Sequence, residues 1–173
     1  MNHDEQYRRE DERDVRGAVG QIAAELAAEG LGLPARLSIL HGPNDHLVES
    51  RLAVEVGSGD EVAATLAGLS MLAASPAGRS AIDLLVADLV PSPMRAWLLV
   101  FESTTSVDVP VPERVTIAVD RSGRGYAALS SGRGSTPAVC MSEFTGGEAG
   151  ADWTPLYQCL ALLALDLPTG SAT

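Results

Sequence analysis

The sequence predicts an α+β domain, a two-layer sandwich in which about four helices cover a mainly antiparallel sheet with a meander in its second half. Three observations carry this. Apolar stripes at helical spacing are interspersed with short strand-like runs. Several of those runs are joined by Gly- and Asp-bearing turns of hairpin type. Three of the stripes are preceded by N-cap signals, at Ser58, Ser75 and Thr154.

The elements follow in order. Val15, Val19, Ile22 and Leu26 are spaced 4, 3 and 4, which predicts a first helix over about 5–29, stopped by Gly30, Gly32 and Pro34. Residues 1–14 are charged and expected to fray, the domain is expected to span 15–168, and 169–173 to be a disordered tail. "ARLSIL" (35–40) and "HLVESRLAVEV" (46–56) read as strands around the turn "HGPND", the second with one wet wall. Ser58 with Glu61 forms a capping box for a helix through Val62, Leu66, Leu69 and Ala73. Ser75-Pro76 opens another, with Ile82, Leu85, Val86 and Leu89 as its stripe. "MRAWLLVFE" (94–102) is apolar throughout, as a central strand covered on both faces should be. In "RVTIAVD" Val115, Ile117 and Val119 alternate with Arg114, Thr116 and Asp120, which predicts a strand with one solvent-facing side.

The tetrapeptide SGRG occurs at 122–125 and again at 131–134. The spacing suits two turns flanking the return strand "YAALS". A dinucleotide fingerprint through Gly123, Gly125 and Ala128, with Glu143 downstream, fails because the motif must open a helix and the second SGRG arrives too soon. The four arginines between 114 and 134 face Asp120 as the one acid there. Arg121, Arg124 and Arg133 are therefore a candidate patch for a partner or an anionic ligand.

Composition excludes several chemistries. All 12 basic residues are arginine, a lysine-free composition expected of a GC-rich bacterial genome. Without lysine there is no P-loop, Schiff-base or kinase machinery. A net charge of −11 argues against general nucleic-acid binding and against an anionic membrane surface. No apolar run approaches the roughly 18 residues of a membrane span, and the charged N-terminus does not read as a secretory signal. Cys140 and Cys159 form no disulfide framework and read as small core residues, so a cytoplasmic location is expected. His41 and His46 match no metal motif and read as solvated residues at a hairpin tip. No catalytic residue, metal or cofactor is expected.

Thr154-Pro155 opens the last helix, "PLYQCLALLALDL", in which Gln158 and Asp166 are the polar residues. A helix apolar on most sides is either sandwiched in a core or half of an interface, which makes Tyr157, Leu162 and Leu165 interface candidates. The function expected is therefore a non-enzymatic protein-interaction domain, of adaptor, chaperone-like or regulatory type, binding another protein or a second copy of itself. The alternative is a small ligand-binding domain or enzyme with an anionic-ligand pocket near the arginine turns.

Overall fold

The computed structural model describes residues 3–43, 46–90, 92–104, 112–131, 140–145 and 153–165, with side chains described from Asp14 onward except Ser131, residues 140–145 and Leu165. The elements are α1 (His3–Glu29), β1 (Arg36–His41), β2 (Val48–Arg51), α2 (Asp60–Ala73), α3 (Pro76–Leu89), β3 (Met94–Thr104), β4 (Pro112–Asp120), β5 (Arg124–Ser131), β6 (Cys140–Thr145) and α4 (Thr154–Leu165). The strands form one sheet in the order β2-β1-β3-β4-β5-β6, every pairing antiparallel, with a meander from β3 to β6. The α+β class, the four helices and the meander are as the sequence predicts.

The layering differs. One face of the sheet, with Trp97, Leu99, Val115, Ile117 and Ala127, packs with Val62, Leu66, Ile82, Val86, Leu160 and Leu163 of α2, α3 and α4. The opposite face, with Leu98, Val100, Ala118, Tyr126 and Ala128, packs with Val15, Val19, Ile22, Ala23 and Leu26 of α1. Helices therefore cover both faces and make three layers rather than two. Burying four large apolar side chains of α1 contributes on the order of 6 kcal/mol gross. An exposed ion pair contributes about 1 kcal/mol at most. Burial thus decides where this charged helix docks.

That docking also corrects the reading of β4. Arg114, Thr116 and Asp120 alternate with the apolar residues as a solvent-facing row would, yet all three are buried beneath α1. The second predicted strand is shorter than its pattern, ending at Arg51, and Leu52 continues with a single backbone hydrogen bond to Leu37.

Capping follows the sequence closely in α3 and partly in α2. Ser75 accepts a hydrogen bond from the Gly78 N–H and Pro76 occupies the first turn. At α2 only one half of the predicted box forms, the Ser58 N–H donating to Glu61 Oε2, while the Ser58 hydroxyl caps nothing and Gly59 is the N-cap. The break between α2 and α3 depends on Gly78. A Cβ there would lie 2.1 Å from the Leu72 carbonyl oxygen, so any other residue forces the two helices apart.

Arg114 is 2% exposed and spans two layers. Its Nη1 donates to the carbonyl oxygen of Leu26 in the last turn of α1 at 2.7 Å, and its Nη2 donates to Glu102 Oε1 at 2.7 Å. The same carboxylate oxygen accepts from the Gly32 N–H at 2.7 Å and the Leu33 N–H at 3.3 Å. The last turn of α1 carries no basic residue of its own. Arg114 supplies, from the strand beneath it, the cation that a helix C-terminus favours.

Burial raises the Glu102 pKa, but the Arg114 hydrogen bond, the Gly32 N–H, the Arg114 charge and the Leu33 N–H outweigh it and hold the carboxyl below its ordinary 4.5. A lowered carboxylate pKa stabilises the fold fully above the ordinary value, and that stability is lost as pH falls through the folded value. Arg114→Leu should cost roughly 3 kcal/mol in urea unfolding at neutral pH, because it strands a carboxylate and a helix carbonyl. Glu102→Gln should cost less and should flatten the loss of stability below the ordinary carboxylate pKa.

Candidate functional site

The hairpin between β4 and β5 is built by Asp120, not by its arginines. Asp120 Oδ1 accepts from the Ser122 N–H at 2.8 Å, the Ser122 hydroxyl at 2.6 Å and the Arg124 N–H at 3.0 Å. Its Oδ2 accepts from the Tyr126 hydroxyl at 3.0 Å. An aspartate that hydrogen-bonds the backbone just ahead of it makes an Asx turn, a local geometry the chain adopts without any ligand. Gly123 completes the turn at φ +82, donates its N–H to the Asp120 carbonyl oxygen, and receives a hydrogen bond from the Tyr157 hydroxyl on its own carbonyl oxygen.

The hairpin brings two of the three candidate arginines together. Arg121 is exposed at its tip and Arg124 is half-buried at the start of β5. Arg133 lies outside the described residues. The buried Asp120 had no distinguishing mark in the sequence beyond an Asp two residues before a Ser-Gly, which is the usual signature of such a turn.

The three interface candidates separate. Tyr157 is buried and spends its hydroxyl on Gly123, so it holds α4 to the hairpin. Leu162 faces outward and is 52% exposed. Leu165 ends α4, and its side chain lies outside the described ones. What sequence reasoning missed is the rest of the surface around Leu162. Met71 of α2 is 76% exposed and Leu84 of α3 is 68% exposed, with Leu72 and Leu85 beside them. The signal was present in α2, which carries no charge after Glu61. Its outward Ala63, Ala64, Ala67 and Gly68 were passed over because small residues weigh little in a hydropathy pattern.

A cleft of about 510 Å³ opens between the first turns of α2 and α4, with Asp60, Val62, Phe101, Ser103, Trp153 and Leu156 among its lining residues. The size suits a small molecule. Among the described residues no arginine, histidine or cysteine lines it, and the Glu102 carboxylate is engaged by Arg114 on the other side of the sheet. The cleft sits at the Thr104–Pro112 end of β3 and β4, whereas the arginine hairpin closes the opposite end of β4. Arg121 and Arg124 therefore do not share a pocket with the cleft, and Arg133 lies outside the described residues.

His41 is a correction. It is buried rather than solvated, with Nδ1 2.7 Å from the Ser92 hydroxyl and Nε2 2.8 Å from the Ser50 hydroxyl. One ring nitrogen donates and the other accepts, and the hydroxyls turn to match. The ring thereby joins β1, β2 and the entry to β3. His46 is exposed. Among the described residues no three His, Cys, Asp or Glu side chains gather as a metal site requires. Cys159 is a free, partly buried thiol that accepts from the Ser70 hydroxyl at 3.7 Å, and the side chain of Cys140 is not among those described.

Comparison with protein-family models, with curated proteins and with solved structures finds no match to the chain.

Asp120→Ala should cost about 2–3 kcal/mol, since it leaves the buried Tyr126 hydroxyl and two turn N–H groups without their acceptor. Arg121→Ala should change stability by no more than about 0.5 kcal/mol. Gly123→Val should destabilise more than Arg121→Ala, because a β-branched residue is strained at positive φ. Thermal melts of the three variants check the order. His41→Leu should cost about 1–3 kcal/mol by leaving two serine hydroxyls without the ring.

Proposed function

We propose that this protein is a non-enzymatic interaction domain whose docking surface is the outer face of the α2, α3 and α4 layer. One observation carries the reading: Met71, Leu72, Leu84, Leu85 and Leu162 are all exposed on that layer. Single exposed leucines are ordinary, but large apolar side chains repeated across three neighbouring helices are the mark of a surface that another surface covers. The charge pattern supports the same face. The chain carries −11 overall, yet no charged residue lies between Glu61 and Arg79. The α2 part of that face is neutral and costs little to desolvate, while α3 adds the exposed Asp88 one turn from Leu84.

The reading includes another protein or a second copy as the occupant, and it leaves general nucleic-acid binding aside because the net charge opposes phosphate. No helix among the described residues is long and apolar enough to cross a membrane. A cytoplasmic setting, adaptor or regulatory, suits a chain with a free thiol at Cys159. The arginine hairpin takes second place, since Asp120 and Gly123 account for its shape.

The test is differential capture. Bait protein carrying Met71→Glu with Leu84→Glu should melt within about 2 °C of the parent, because both side chains already face water. It should lose the proteins that the parent retains, while Arg121→Ala bait keeps them. Retention by the doubly substituted bait and loss by Arg121→Ala would move the docking surface to the hairpin.

A further inference from the structure

We propose that the cleft between the first turns of α2 and α4 is a binding site for a small organic amine, a ligand with an aromatic or aliphatic body and one positive charge. The site is separate from the apolar face of the helical layer. Asp60 at the cleft and Met71 on that face stand eleven residues apart on α2, roughly 16 Å along its axis.

Shape sets the body of the ligand. The cleft encloses about 510 Å³, within the ordinary range of small-molecule sites. Val62, Phe101 and Leu156, all buried, line it together with the partly exposed Trp153. Ser103 and Thr104 border it, and their hydroxyls accept a hydrogen bond as readily as they donate one. A lining of aliphatic side chains and two aromatic rings takes up a ring or a short alkyl chain, and leaves orientation to the few polar groups.

Charge selects the amine. Among the described lining residues none is basic, while Asp60 and Glu102 are acidic. Arg114 already neutralises Glu102 on the opposite face of the sheet. Asp60 is exposed at the start of α2, and Glu61 shares its turn. A third carboxylate comes from the sheet. Phe101 pairs with Val115 and Ser103 with Glu113, so Glu113 lies beside Ser103 on the side of the sheet that faces α2 and α4. The partial positive charges of the two helix starts oppose these acids, but together they amount to only about one elementary charge. Asp60, Glu61 and Glu113 outweigh it, and the net charge of −11 adds a field of the same sign. The rings of Phe101 and Trp153 act in the same direction, because the face of an aromatic ring attracts an ammonium and not a carboxylate.

The experiment titrates the full chain with phenethylamine and with phenylacetate, which has a similar body and the opposite charge. Binding is followed by calorimetry and by Trp153 fluorescence, with Trp153→Phe marking the signal of that residue. Phenethylamine should saturate, bind at least about tenfold more tightly than phenylacetate, and weaken as salt rises. Asp60→Asn should remove most of the preference for the amine. Ala63→Phe, at an exposed position that lines the cleft, should block binding while the melting temperature stays within about 2 °C of the parent. Equal or tighter binding of phenylacetate would overturn the choice of an amine. Absence of saturable binding by either probe, or amine binding that survives both Asp60→Asn and Ala63→Phe, would overturn the site. Met71→Glu with Leu84→Glu should leave phenethylamine binding unchanged, so the cleft and the docking face stand or fall independently.

Discussion

A buried guanidinium must be surrounded by acceptors, because an arginine cannot shed its charge and the interior cannot solvate it. Arg114 meets that demand with the last turn of α1 through Leu26 and with the neighbouring strand through Glu102. Glu102 in turn gathers the two N–H groups of the loop that leaves α1. One side chain thus decides where the first helix ends, how its C-terminus is capped and how the chain enters β1. Apolar packing along α1 supplies most of the free energy of that contact, but it is non-directional. The arginine converts a greasy stripe into a unique placement.

The two faces of the sheet consequently carry different kinds of core. On the α1 face the sheet presents Ser38, Arg114, Thr116 and Asp120 among its apolar residues. Ser38, Arg36 and Glu49 form a second polar cluster there, with Arg36 Nη2 and the Ser38 hydroxyl both donating to the Glu49 carboxylate. Beneath α2, α3 and α4 the core is nearly all aliphatic and aromatic, with Trp97 at its centre. Polar groups that specify geometry are collected on one side, and the other side holds three helices by volume filling. Of that second layer, α2 beyond its first turn and α4 have little polarity to spend, and large apolar side chains remain on their outer surface. The exposed apolar side chains and the aliphatic core are two consequences of the same composition in α2 and α4.

At the hairpin, the repeated SGRG drew attention to arginine, while the geometry is carried by Asp120 and Gly123. A turn motif is visible in sequence through the residues that tolerate it, and any side chain at its tip is then free to vary. Tyr157 is an interface candidate in the sequence because it lies off the leucine stripe on a helix that is apolar on most sides. Its ring is buried and its hydroxyl finds a backbone acceptor across the layer, the usual arrangement for a buried tyrosine.

The sequence by itself determined what depends on neighbours along the chain. The helical stripe of Val15 to Leu26, the Ser75-Pro76 start of α3, the apolar run of β3 and the hairpin into β5 were all legible, because periodicity, capping and turn chemistry are local. Tertiary structure decided the rest. Nothing local distinguishes an Arg114 that alternates out to solvent from one that alternates into a second core, since both give the same period of two. Whether His41 is solvated or buried depends on how Ser50 of the neighbouring strand and the distant Ser92 meet its ring. The exposed face of α2 was hidden for the same reason. An apolar helix reads as buried until its neighbours are known, and only the packing of α2 on the sheet shows which of its apolar sides is left over.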